Sequence, residues 1–355
     1  MNNITPDIIN IPRYPPEFQQ IITAKNHNFV GREFVFSAIN SFLHQSDRGY
    51  FTIIGEPGIG KSAIIAHYVS QNPGIVYYNV EIPGKNHTEE FLTTICHQLI
   101  EIAQHQGSKT CVEPSGNNID DNSINSHPEN TGFLSLLLQQ ISDKLNPEQR
   151  LIITIDGCDR IDINNQSRGS NLFYLPRYLP EKVYFILSRR PFLADKSGLL
   201  IETPSQSLDL ANYPEQNRAD IQEYIRNLSS ENINHQLPEI SKDETNFIYV
   251  QEILTNLNQD IYSENLQLYY QNHLDKMNAV TSNQQTMALQ VLKMLVAEQS
   301  ISLETVVARL DEDEYDIKVI LDAWREFLDL AKTRGGVNYS FYHPHFCAWL
   351  RSVVS

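Results

Sequence analysis

The chain has 355 residues, with 27 Lys and Arg against 43 Asp and Glu and a formal net charge of −16, a balance that disfavours a general binder of nucleic acid or anionic membrane. With 41% hydrophobic and 20% charged residues, collagen, coiled coil and wholesale disorder are excluded, and the length predicts two or three domains. Cys96, Cys111, Cys158 and Cys347 lie far apart without CxxC spacing, so neither a zinc site nor a disulfide scaffold is indicated.

Residues 1–28 are rich in Pro, Asn and Ile without a period and read as an extended lead-in. They lack a basic region followed by an apolar run, and no stretch of 18 apolar residues follows, so neither a secretory signal nor a membrane span is expected. A soluble, cytoplasmic protein fits. Tyr50 to Ile54 predicts a strand, followed by a Gly-rich turn and a helix over Ser62 to Val69. Ile75 to Val80 predicts a second strand, and Thr88 to Ala103 a helix with Phe91, Leu92, Ile95, Leu99 and Ile100 on one face.

Residues 106–131 are polar, rich in Asn, Asp and Ser, and read as a mobile insertion. A short helix from Phe133 to Leu145 and strands at Leu151 to Ile155 and Val183 to Leu187 follow. Strands alternating with helices imply a parallel sheet between helical layers. Beyond Pro204 the strand signals fade, and Asn217 is placed to cap a helix bearing Ile221, Tyr224, Ile225 and Leu228. Helices also fit Glu244 to Leu257 and Leu266 to Met277. Near Gln284 a third unit starts, with three helices and then a hairpin over Lys332 to Tyr342, the order of a winged helix. The predicted fold is α/β: a parallel-sheet P-loop NTPase core over 29–205, a helical lid over 206–280 and a winged helix over 281–355.

The strongest signal is Gly55-Glu56-Pro57-Gly58-Ile59-Gly60-Lys61-Ser62, a full GxxxxGK[ST] match between a predicted strand and a predicted helix, and these residues with Ala63 are the expected nucleotide contacts. Its glycines let backbone N–H groups curl around phosphate oxygens, and the positive helix N-terminus faces the same anion. Lys61 is expected to reach the β and γ phosphates and Ser62 to offer its hydroxyl to Mg²⁺. The apolar strand ending in Asp156-Gly157-Cys158-Asp159 supplies Asp156 as the second Mg²⁺ residue and Asp159 to orient or deprotonate water, with Asp162 a weaker choice. Ser188-Arg189-Arg190-Pro191 ends the fourth strand, and Arg189 is the candidate for the γ-phosphate.

Phe29-Val30-Gly31-Arg32-Glu33, the GEPGIGKS loop, the TIDGCD strand end and the ILSRRP strand end occur in the order that resembles the STAND class of signalling ATPases, NACHT-type members above all. The resemblance runs from about residue 28 to the C-terminus. It implies adenine contacts from Val30 and Arg32, and a sensor role for Arg189. Asn246-Phe247-Ile248-Tyr249-Val250 resembles the aromatic helix of the family's lid, and Phe341-Tyr342-His343-Pro344-His345-Phe346 the winged-helix segment whose histidine touches the β-phosphate of ADP. His343 matches that position, with His345 the alternative. The lid lacks the family's Gly-x-Pro signature, so the sequence does not identify a proline that packs on the nucleotide, and Tyr213-Pro214 is named as a candidate only. Arg160 occupies a place that is commonly acidic in the family, which implies slow or absent hydrolysis.

The expectation is an ATP/ADP-operated switch with Mg²⁺, closed with ADP, opening to self-associate with ATP and hydrolysing slowly. Sensor and effector modules would be supplied in trans, or the sequence is a fragment. A non-hydrolysing nucleotide-binding interaction module and an AAA+ remodelling ATPase are the alternatives. The acidic run Asp311, Glu312, Asp313, Glu314 and Asp316 speaks against DNA in the winged helix, so neither nucleic acid nor membrane is an expected partner.

Overall fold

The apolar runs pair into one parallel sheet. In the computed structural model, which describes residues 14–105, 131–162, 166, 170–191, 199–231, 244–255, 264–333 and 336–354, β1 (Gly49–Ile54), β2 (Val76–Asn79), β3 (Leu151–Asp156) and β4 (Val183–Arg189) are buried along almost their whole length. Strands buried on both faces read as unbroken apolar runs, as these do. A fifth strand, β5 (Ser205–Asp209), completes the order β2-β3-β4-β1-β5, every pairing parallel. The register sets Asn79 beside Asp156 and Ile54 beside Arg189. The chemistry-bearing ends of four strands therefore share one edge.

Among the described residues the chain divides into two compact units, the first within 1–55, 61–189 and 198–224 and the second within 56–60, 190–197 and 225–355. In the first, α1 (Pro16–Asn26) corrects the expected extended lead-in; residues 1–13 lie outside the described residues. Pro16 sits at the helix start, where its missing N–H costs nothing. Phe18 meets Tyr77 and Tyr78, centroids 5.5 and 5.6 Å away. Neighbouring strand residues leave on opposite faces, so α1 lies across the edge of β2. Helices α2 (Glu33–Gln45), α3 (Lys61–Gln71), α4 (Thr88–His105) and α5 (Thr131–Ser142) follow. Of the predicted insertion, only Thr131 lies among the described residues.

Two further expectations change. The strand signal does not end at Pro204, since β5 extends the sheet; only Leu208 of its five residues is buried. Asn217 is no cap, because α6 (Pro214–Glu231) begins three residues earlier. Its buried amide donates to Leu210 O at 2.6 Å from inside the helix.

The second unit contains α7 (Phe247–Thr255), α8 (Glu264–Val280), α9 (Gln285–Glu298), β6 (Ile301–Ser302), α10 (Leu303–Leu310), α11 (Glu314–Ala323), β7 (Leu328–Thr333), β8 (Gly336–Phe341) and α12 (Pro344–Val354). The short strands form an antiparallel sheet ordered β6-β8-β7. Ser302 and Asp313 cap α10 and α11 by accepting backbone N–H groups. Trp324, Leu295, Ile320, Phe327 and Phe346 centre the core, and the Trp324 indole N–H donates to Met277 O at 3.0 Å. Among the described residues no helix is long and apolar enough to cross a membrane.

Candidate functional site

The loop between β1 and α3 starts where Gly55 N–H donates to Arg189 O at 3.3 Å, joining it to the end of β4. Gly58 and Gly60 have φ of +85° and +99°, a region that residues with a side chain rarely adopt. Lys61 opens α3, is buried, and donates through Nζ to Gly55 O at 2.8 Å, bridging the two ends of the loop. Ser62 Oγ donates to Asp156 Oδ1 at 3.2 Å.

Asp156 is fully buried at the end of β3. Ser188 donates to Oδ1, and Asn79 Nδ2 to Oδ2 at 3.1 Å. Burial lifts the carboxyl to about 6, helped by the charge of Glu81, while the bonds from Ser188 and Ser62 pull downward. A hydroxyl and a carboxylate thus converge beside the lysine that opens α3. Hard oxygen donors in small number are what Mg²⁺ takes from a protein in phosphate sites, so Ser62 and Asp156 would hold that ion.

Asp159 lies in the 3-10 turn Cys158–Arg160, its Oδ2 3.7 Å from Arg160 Nε. Arg160 Nε is also 3.7 Å from Glu81 Oε1. Burial holds the Arg189 guanidinium below its ordinary value, while Cys158, Asp159 and Asp209 act in the other direction. Asp162, the weaker candidate, donates its backbone N–H to Asn86 O at 3.0 Å.

Val30 and Arg32 are buried ahead of α2. The Arg32 guanidinium, expected against adenine, donates to Asn217 Oδ1 and pairs with Asp220 at 3.5 Å. Its backbone N–H also donates to Asp220 Oδ2 at 3.3 Å. A Cβ on Gly31, whose φ is +62°, would fall 2.0 Å from Asp220 Oδ1, so only glycine lets α6 approach this closely. Phe34 stacks on Tyr213 at 4.7 Å.

In the second unit, His343 is buried with Nε2 3.2 Å from both carboxylate oxygens of Glu244. Glu244 also accepts the N–H groups of Thr245 and Asn246, at 2.8 and 2.7 Å. Burial alone would raise this carboxyl, but the His343 contact and the two backbone bonds hold it below its ordinary value. Asn246 accepts Tyr249 N–H and donates through Nδ2 to Pro57 O at 3.1 Å. Phe247 N–H donates to Gly58 O at 2.9 Å. His345 pairs instead with the Tyr249 hydroxyl. Arg190 pairs with Glu326 at 3.0 Å.

Lys61, Ser62 and Asp156 are therefore gathered in the first unit, and His343 is connected to loop residues 57 and 58 in the second. The sequence assigned no site role to Asn79, Asp220 and Glu244, and named Ser188 and Asn246 only within longer motifs. Asn79 left a signal, a polar residue ending the apolar run IVYYN.

Residues 28–186 match the family model described as an AAA ATPase domain. Among solved structures, the Walker-type ATPase PABY2304 of Pyrococcus abyssi has a TM-score of 0.58 at 12% identity, covering 90% of this chain and 95% of that one. Drosophila ORC bound to DNA has a TM-score of 0.35 at 14% identity over 95% of this chain and 98% of that one, and a mutant of Thermotoga maritima RuvB 0.30 at 12% over 96% and 98%. No curated protein matches. The fold resembles that of P-loop ATPases, and residues 28–186 are similar to AAA ATPase domains.

Proposed function

We propose that the protein is an ATP/ADP-operated switch of the STAND type, NACHT-like, in which the nucleotide state decides between a closed form and a self-associating one. The observation that carries this reading is the hydrogen-bonded line in the second unit from His343 through Glu244 and Asn246 to Pro57 O. It joins the residue assigned to the β-phosphate with the phosphate loop itself. The order α9, β6, α10, α11, β7, β8 supports a winged helix, and α7 and α8 supply the helical lid.

In this reading the loop over Gly55–Ser62 binds the phosphates through its backbone and Lys61, with Ala63 continuing α3. Bound Mg²⁺, held by Ser62 and Asp156, would neutralise charge on the β and γ phosphates. Asp159 orients the attacking water and Arg189 reads the γ-phosphate. Val30 and Arg32 border the base, Arg32 acting through its hold on α6. A switch needs differential affinity, and His343 provides it where its ring N–H meets phosphate, a hydrogen bond to a charged group worth about 1.5 to 3 kcal/mol.

A second reading, a nucleotide-binding interaction module without hydrolysis, draws on Arg160. Its guanidinium lies beside Asp159, so the carboxylate has a cation competing for it. An AAA+ remodelling motor is compatible with the fold and is separated by its steady turnover.

The test is to denature purified protein and identify released nucleotide beside a Lys61→Ala control, then to measure mass in solution with ADP and with a non-hydrolysable ATP analogue. About one equivalent of ADP, absent from the control, with larger assemblies in the analogue, supports the switch. Failure of both ADP and ATP to bind overturns it, and unchanged mass favours the interaction module.

A further inference from the structure

We propose that Asn246 is a positioning residue of the phosphate cradle, holding the loop by its carbonyls so that the N–H groups of Gly58 and Ile59 face away from α7. The inference rests on the reading of residues 55–62 as that cradle. Asn246 is 6% exposed and uses both ends of its amide. Oδ1 accepts Tyr249 N–H at 3.0 Å, which caps α7, and Nδ2 donates to Pro57 O at 3.1 Å. The network fixes the orientation of the amide, since a flipped side chain would set oxygen against oxygen at Pro57. Phe247 N–H adds the next bond, to Gly58 O at 2.9 Å. Two successive loop carbonyls are thus gripped by the first turn of one helix.

In a trans peptide the C=O and the following N–H point in opposite directions. Gripping Pro57 O and Gly58 O therefore turns the N–H groups of Gly58 and Ile59 away from α7. The Ile59 N–H makes a long bond of 3.4 Å to Glu56 O, which is weak enough to yield to an anion. Contact on the other side is close: a Cβ on Gly58 would lie 2.3 to 2.6 Å from the Asn246 amide atoms. Gly58 serves both its own positive φ and this approach. The connection runs outward too, because the Asn246 N–H is held by Glu244, which faces His343.

Capping and positioning can be separated by substitution. Asn246→Asp and Asn246→Ser both retain a good cap for α7. The aspartate puts a carboxylate against Pro57 O, and the serine hydroxyl is too short to reach it. Asp also stands near Glu244, which the neutral serine controls for. Hydrogen exchange of nucleotide-free protein should show faster exchange in the peptide spanning 55–62 in both variants, with the peptide covering 247–255 unchanged. Titration with a fluorescent ADP should show about tenfold weaker binding, the effect of a released loop that holds the binding geometry about a tenth of the time. Wild-type exchange in the loop and wild-type ADP affinity in both variants overturn the proposal and leave Asn246 a cap. If the wild-type chain binds no nucleotide, the cradle reading fails, while the exchange measurement still decides whether Asn246 holds the loop.

Discussion

Asn79 Nδ2 lies 3.1 Å from Asp156 Oδ2, so the carboxylate assigned to Mg²⁺ is oriented from the neighbouring strand end. The same amide donates to the Tyr77 hydroxyl at 3.0 Å, and Asn79 Oδ1 accepts Glu81 N–H at 2.8 Å. With Ser188 and Ser62 on Oδ1, Asp156 has little rotational freedom. Such outer partners of metal ligands commonly carry a ten- to hundredfold effect on metal affinity. Asn79→Ala is predicted to raise the Mg²⁺ concentration needed for tight ATP binding by about tenfold, leaving Mg²⁺-free ADP binding near wild type. Equal weakening of both would mean that Asn79 only supports the fold.

Glu244 and nucleotide phosphate are rival anions for His343 under the switch reading. His343→Ala is predicted to weaken ADP binding by about tenfold, the scale of one charge-assisted hydrogen bond. Glu244→Gln removes the rival charge and is predicted to strengthen it. Calorimetric titration of both variants with ADP reads the signs directly. Weaker binding in Glu244→Gln alongside unchanged binding in His343→Ala would show that the pair only braces α7.

The Arg32 and Asp220 pair makes a pH prediction. Burial raises the Asp220 carboxyl to about 6, above its ordinary value, although Arg32 pulls it down. Between about pH 4 and 6 the folded chain then binds more protons at this site than the unfolded chain, so stability from this group falls as pH rises through that window. Relative to Asp220→Asn, the wild-type melting temperature should therefore gain on going from pH 7 to pH 5. A difference that is flat across the window would exclude the raised value.

Removing Arg32 leaves Asp220 as a buried carboxylate without its cation. Breaking one partner of a buried pair typically costs about 3 to 5 kcal/mol. Arg32→Ala is expected to lower stability by about 3 kcal/mol in denaturant titration. Arg32→Lys should recover only part of it, because Lys lacks the fork that reaches both Asn217 and Asp220.

Arg160 is predicted to hold turnover down. Replacing it with Asp frees Asp159 from the guanidinium 3.7 Å away. ATP hydrolysis by Arg160→Asp should exceed wild type several-fold in a phosphate-release assay. Unchanged turnover would locate the limit elsewhere.

The strand–loop–helix over residues 49–71 was legible in the sequence because its grammar is local. Glycines that must adopt positive φ, the lysine and the serine are contiguous, and the flanking apolar runs announce strand and helix. Asp156 was legible for the same reason, as the acidic end of a buried strand. Other parts carried too little apolar signal: β5 buries one residue of five, and α1 buries only Phe18 and Ile22. An edge strand and a short surface helix take their structure from what they pack against, not from their own period.

The partners that orient the site are separated in the chain by 77 residues for Asn79 and Asp156, 99 for His343 and Glu244, and 189 for Asn246 and Pro57. Hydrogen bonds over such spans leave no spacing to read, since each depends on where two elements are brought by the packing of the whole unit. Residue order alone carried the GxxxxGK[ST] loop and the acidic end of a buried strand. Which side chains hold these in place was settled by packing, because a buried donor must find its acceptor wherever the fold sets one within about 3 Å.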